Sequence, residues 1–270
     1  MRRSPPLIRW SRSSAILMSC FFLVIFLIIY IWWPLAVQVL SYINWNGPWW
    51  LYIDWLLIGI FLFMSFTIIA RADLRTDGFI ILIATVGGLV IESWGTQTNL
   101  WFYYTNERPP LWIVPAWPIA TLSIDRLTRA LGYFLPKARP RFYRILYWIT
   151  FTSFHLLMLF FVAPTFNKSY TVLAILFCTL LILTPIDHRT SFLIFLAGSS
   201  LGYFLELWGT TRQCWTYYTY QTPPLFSVLA HGMAAFAFWR TGLMLKWAWQ
   251  KIPIPLPRKT AGGEAEADEP

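Results

Sequence analysis

Eight apolar runs constrain this chain more than any other feature. They lie at about 14–33, 49–70, 78–94, 111–131, 145–163, 170–185, 191–208 and 224–246. A helix needs about 20 mostly apolar residues to cross a bilayer, and only helices and closed barrels satisfy their backbone there. The expected fold is therefore all-α, a polytopic membrane helix bundle of about eight transmembrane helices. Composition agrees: 12% of residues are charged and 57% hydrophobic, too little charge to coat a soluble domain. The 17 Trp suit a protein with two water–lipid interfaces, where Trp and Tyr collect.

The connections set the expected orientation. Arg2, Arg3, Arg9 and Arg12 precede the first run, and Arg71 and Arg75 follow the second. Arg126, Arg129, Lys137, Arg139, Arg141 and Arg144 surround the fourth connection, Arg189 follows the sixth run, and Arg240, Lys246, Lys251, Arg258 and Lys259 close the eighth. The alternate connections hold only Arg108, Lys168 and Arg212. Positive charge stays inside, so both termini are expected in the cytoplasm, in a bacterial inner membrane. The net charge of +9 flanks apolar runs instead of forming a stripe, which excludes nucleic acid as the expected partner. The run from Ser14 to Trp33 has no small-residue cleavage site after it, so it reads as a retained helix and not a signal peptide.

Shifting the chain by 114 residues aligns Asp73–Arg126 with Asp187–Arg240 without a gap, with 21 of 54 positions identical. Shared apolar bias does not produce that many. Glu92, Trp94, Gly95 and Thr96 fall on Glu206, Trp208, Gly209 and Thr210, and Trp101, Tyr103, Tyr104 and Thr105 fall on Trp215, Tyr217, Tyr218 and Thr219. The shift covers four runs, an even number, so the two copies point the same way, as parallel repeats do. The expected organisation is a basic N-terminus (1–13), a first four-helix repeat (14–135), a basic linker (136–144), a second repeat (145–250) and a disordered tail (251–270). Asp54 aligns with Lys168, so the first two helices of each repeat have diverged.

Ionisable groups inside spans mark functional candidates. Glu92 and Glu206 fall near the outer ends of helices three and seven, Asp54 a turn or so inside helix two, and His231 about two turns inside helix eight. Trp94, Trp101, Tyr103 and Tyr104, with Trp208, Trp215, Tyr217 and Tyr218, gather over the same depth. The catalytic candidates are thus Glu92, Glu206 and His231, and the substrate-binding candidates are these aromatics and Asp54. Competing structural roles are a carboxylate capping the Gly95-Thr96 or Gly209-Thr210 turn, an interfacial aromatic belt, and an interhelical bond for His155. Asp73/Arg75 and Asp187/Arg189 read as turns with local ion pairs, and Arg126 and Arg240 as orientation anchors. Cys20 and Cys178 read as apolar fillers, and no CxxC or paired-histidine spacing implies a metal. Phosphate-loop, dinucleotide and GxSxG motifs are absent from the sequence, so neither cofactor nor nucleotide is expected.

Glu92, Gly95, Trp101-x-Tyr103-Tyr104 and Leu111-Trp112-Ile113-Val114-Pro115-Ala116-Trp117 resemble a pattern in the carotenoid-biosynthesis integral membrane proteins of bacteria and archaea, the carotenoid hydratase type. The likeness covers residues 88–120, with an echo at 202–234, where Leu229-Ala230-His231-Gly232 departs from the family's polar residue and Gly-Trp pair. The resemblance implies an enzyme, of lyase or hydratase type, acting on a long isoprenoid within the bilayer. The residues are compatible with that. Alkene hydration or cyclisation needs an acid, a carboxyl group in an apolar site can stay protonated, and aromatic faces stabilise a carbocation. Glu92 or Glu206 would be the acid, with His231 or the other glutamate as base. The other classes compatible with the sequence are a small transporter or channel with outer-half carboxylates, and a non-catalytic envelope assembly partner.

Overall fold

The computed structural model describes residues 10–135 and 139–251. The extreme N-terminus (1–9), residues 136–138 of the expected linker and all but Lys251 of the tail expected to be disordered lie outside it, and 140–144 of that linker belong to a helix. Among the described residues are eight α-helices: α1 (Arg12–Ser41), α2 (Trp55–Ile69), α3 (Leu74–Gln97), α4 (Ala116–Phe134), α5 (Pro140–Val162), α6 (Ser169–Leu183), α7 (His188–Thr211) and α8 (Leu225–Lys251). Five of them, α1, α3, α5, α7 and α8, are long and apolar enough to cross a membrane. The apolar α2 and α6 have 15 residues each, about 22 Å at 1.5 Å per residue, which falls short of a hydrocarbon core. α4 carries Asp125, Arg126 and Arg129 in its second half. The protein is thus a helical membrane protein.

Local chemistry explains the boundaries. Ser11 caps α1, and Asp73 and Asp187 cap α3 and α7 at matching positions by accepting from the N–H of Arg75 and Arg189. These aspartates therefore serve as helix caps, not as partners of the adjacent arginines. Arg189 instead donates to the carbonyls of Gly132 and Leu135 at the end of α4. α5 opens on Pro140, whose missing N–H costs nothing at a first helical position. Pro34 lies inside α1 without ending it, so that helix runs eight residues past its expected limit of Trp33. Pro115 and Pro118 delay α4 to Ala116, whereas the equivalent residues of α8 are helical from Leu225.

The 114-residue shift reappears in the element limits. α2 and α6, and α3 and α7, match at both ends. So do two three-residue strands, β1 (Trp101–Tyr103) and β2 (Trp215–Tyr217). They pair antiparallel in the register Trp101↔Tyr217, Phe102↔Thr216 and Tyr103↔Trp215. The flanking bonds, Tyr104 N–H to the Cys214 carbonyl and Tyr218 N–H to the Leu100 carbonyl, also exchange under the shift. The ribbon therefore has local two-fold symmetry.

Packing breaks that symmetry. α7 and α8 form the most extensive interface, where a Cβ on Gly198 would stand 2.8 Å from the Gly232 Cα. Glycine is required there because the two backbones touch. α5 packs on α6, α7 and α8, filling the space with Phe151, Phe154 and Met158, whereas α1 packs chiefly on α2. α3 is left without a neighbour equivalent to α5. An apolar cavity of about 1660 Å³ lies there, bounded mainly by α1, α2, α3, α6 and α8.

Candidate functional site

Glu92 and Glu206 sit on α3 and α7, each buried and each lining this cavity. Three residues after each stands a glycine, Gly95 or Gly209. A Cβ there would lie 1.9 Å from the Trp101 ring or 2.0 Å from the Trp215 ring. The missing side chain lets the indole lie flat on the helix and reach back one turn. Trp101 Nε1 donates to Glu92 Oε2 at 3.1 Å, and Trp215 Nε1 to Glu206 Oε2 at 3.0 Å. The ribbon then delivers a phenol from the other side. Tyr103 donates to Glu92 Oε1 at 3.0 Å and Tyr217 to Glu206 Oε1 at 2.9 Å. Burial first, and the adjacent carboxylate next, push both phenols well above their ordinary range, so they stay protonated donors. The glutamates thus bond ring N–H and O–H groups of the loops, not the backbone of the Gly-Thr turns.

The third donor differs between the halves. Trp117 Nε1 donates to Glu92 Oε1 at 3.0 Å, whereas His231 Nε2 lies 3.0 Å from Glu206 Oε1. The two residues occupy equivalent positions on α4 and α8 and stack on each other, centroids 5.7 Å apart and planes inclined by 20°. Each rests on a glycine: a Cβ on Gly88 would meet Trp117 at 2.4 Å, and one on Gly202 would meet His231 at 2.5 Å. Glu92 is therefore surrounded by donors, two of them indoles that can only donate. At Glu206 the third partner can take up and release a proton. His231 Nδ1 makes no bond within the described residues, and the side chain lines the cavity. Glu92 thus meets two indoles and a phenol, whereas Glu206 meets one indole, a phenol and the imidazole of His231.

Asp54 lies at the N-cap of α2, accepting from Leu57 N–H, and not inside the helix. It also accepts from Trp208 Nε1 at 2.8 Å and pairs with Arg212 at 3.0 Å, tying the two halves together at the cavity rim. Trp94 lines the cavity and donates to Thr171 Oγ1 on α6. Tyr104 and Tyr218 are not among the residues lining the cavity. Their hydroxyls hold the loops to α1 and α5 by donating to the carbonyls of Ile31 and Phe161. His155 reaches Thr179 Oγ1 at 3.3 Å across α5 and α6, away from this site.

Sequence reasoning missed Asp77. It is buried and pairs with Arg126 at 2.7 Å at the opposite end of the bundle. Arg126 also donates to the carbonyl of Ala70, and Arg240 to that of Thr184, the equivalent position. These two arginines are buried and cap the ends of α2 and α6. Asp77 left no trace in the repeat because Ser191 stands in its place. Its one signal was an acid in the first turn of a long apolar helix, where the helix dipole favours it. No group of three or more His, Cys, Asp or Glu among the described residues is placed to hold a metal ion.

Comparison of the chain with known protein families, with characterised proteins and with solved structures finds no match in any of the three.

Proposed function

We propose that the protein is an integral membrane enzyme that binds an elongated apolar lipid of isoprenoid type in the cavity and performs acid–base chemistry on its double bonds at His231 and Glu206. The observation that carries the reading is one proton-exchanging side chain, with an unbonded Nδ1, inside a large and mostly apolar cavity. Such a pocket selects apolar ligands, and its few convergent polar groups fix orientation. The resemblance of residues 88–120 to the carotenoid hydratase type points the same way.

Hydration of an alkene accounts for every group. The protonated imidazole gives its Nδ1 proton to one alkene carbon, and positive charge develops on the more substituted carbon. The ring of Trp117, stacked on His231, stabilises that cation. Water adds through oxygen, and the proton that it loses returns to Nδ1. The net change is addition of one water across one double bond. Glu206 holds the ring through Nε2 during both transfers. The ion pairs and donors around Glu92 and Asp54 keep the surrounding wall in place.

In the bilayer, the five long helices are joined by three further crossings: α4, and α2 and α6 each lengthened by the short helical turn before it, Trp49–Tyr52 and Ala163–Thr165. The four-helix repeats are then parallel, related by an axis along the membrane normal, as the symmetric ribbon supports. The arginine-rich connections favour cytoplasmic termini, with the aromatic loops on the outer side of a bacterial inner membrane. The near absence of free polar side chains along the cavity favours lipid chemistry over ion or solute transport.

Lipids extracted from a deletion strain and compared with wild type by mass spectrometry test this. The expected result is an isoprenoid lacking one water in the deletion strain, with the product restored by the intact gene but not by Glu206→Gln. Identical lipid profiles in both strains would defeat the reading.

A further inference from the structure

We infer that the ligand is an amphiphile with an uncharged oxygen head, seated at Arg212 on the cavity rim, and that the reacting double bond lies about 9 Å deeper, at His231. This rests on the lipid-binding reading above and adds the head, the orientation and the position of attack.

The rim is a built polar site at one end of an otherwise apolar trough. Asp54 uses both oxygens twice: Oδ1 accepts from Leu57 N–H and Arg212 Nη2, and Oδ2 from Trp208 Nε1 and Arg212 Nε. A carboxylate offers about four acceptor positions, so Asp54 has none left. Arg212 donates three of its five N–H groups, the third to Thr211, and its half-exposed side chain lines the cavity. Two N–H groups therefore remain for a ligand acceptor. Gln97 lines the same end, and its side-chain amide makes no bond within the described residues. The ion pair has no net charge, so an anionic head would gain from Arg212 and be repelled by Asp54. An alcohol or carbonyl oxygen takes the free donors without that opposition.

Helix geometry sets the spacing. Glu206, which holds His231, lies on α7 six residues before the C-cap Arg212, a backbone spacing along the helix axis of about 9 Å at 1.5 Å per residue. On α8 the cavity lining continues from His231 to Leu245, 14 residues or about 21 Å further. The trough thus accommodates a short head-proximal segment above the imidazole and a long apolar tail beyond it.

The test uses the full chain in nanodiscs and three probes of equal chain length: a linear tetraprenyl alcohol, the hydrocarbon lacking the hydroxyl, and the tetraprenyl monophosphate. Affinity is read from quenching of tryptophan emission. The alcohol should bind about tenfold or more tightly than the hydrocarbon, the gain expected of hydrogen bonds from a charged donor. Arg212→Gln should remove that preference, and Gln97→Leu should reduce it. A photoreactive group about 9 Å from the hydroxyl, six residues along a helix, should label peptides carrying Trp117 or His231. Equal binding of alcohol and hydrocarbon, tightest binding of the monophosphate, or labelling near Leu245 would overturn the inference and leave the apolar reading standing. Failure of all three probes to bind would overturn both.

Discussion

The Glu92 and Glu206 sites are the same construction with one difference. Each places a glutamate one turn before a glycine, lays an indole on that glycine, brings a phenol across from the ribbon and adds a third ring from the last helix of its half. Where that ring is Trp117, the carboxylate meets a group that can only donate. Where it is His231, the same position can exchange a proton. The comparison separates what holds the loops in place, which both sites share, from the titratable ring that only one site adds.

The largest expected effect tests the halves at their other end. Asp77→Ala would leave the buried Arg126 guanidinium with only Asp125 and the Ala70 carbonyl as partners, a loss of about 1.5–3 kcal/mol for the charged hydrogen bond removed. Thermal unfolding in detergent should show it, and an unchanged midpoint would mean that Asp77 and Arg126 are solvated, unlike their burial here. Next, His231→Trp would rebuild the first site in the second half. The fold should survive, because Trp117 shows that the position can hold an indole, while product formation should fall by about 100-fold or more. Retained turnover would remove His231 from the mechanism. Gly88→Ala and Gly202→Ala should each cost about 1–3 kcal/mol by crowding a ring. Gly202→Ala displaces His231 itself and Gly88→Ala the Trp117 ring stacked on it, so Gly202→Ala should depress turnover more; equal loss in both would blur the distinction between the sites. Smallest, Tyr218→Phe removes the bond to the Phe161 carbonyl and should cost about 1 kcal/mol, with turnover unaffected.

Much of this was readable in the chain. Apolar length gave the helices, and the 114-residue repeat identified Glu92, Glu206 and their aromatic companions as equivalent sets. Other features escaped for physical reasons. Strands of three residues carry no alternation to detect, so the ribbon is invisible in the sequence, and Trp101 and Tyr103 read as substrate-binding candidates with no sign that they also donate to Glu92. Proline usually stops a helix, which hid the length of α1 past Pro34. Asp54 read as lying inside a span because its neighbours are apolar, whereas its capping bond to Leu57 starts the helix there. The cavity arises from how α1 packs compared with α5, and no local pattern encodes that.

The ribbon bears on how the molecule assembles. Its strands stand 114 residues apart and have only each other as sheet partners, and a lone strand of three residues does not persist in water or lipid. Neither tyrosine can therefore be aimed at its glutamate until the final third of the polypeptide has been inserted and has closed against the first. A full-length chain whose halves fail to close against each other would contain both glutamates and both tyrosines and still leave the carboxylates without their phenol donors, so the fold itself acts as a check on completion.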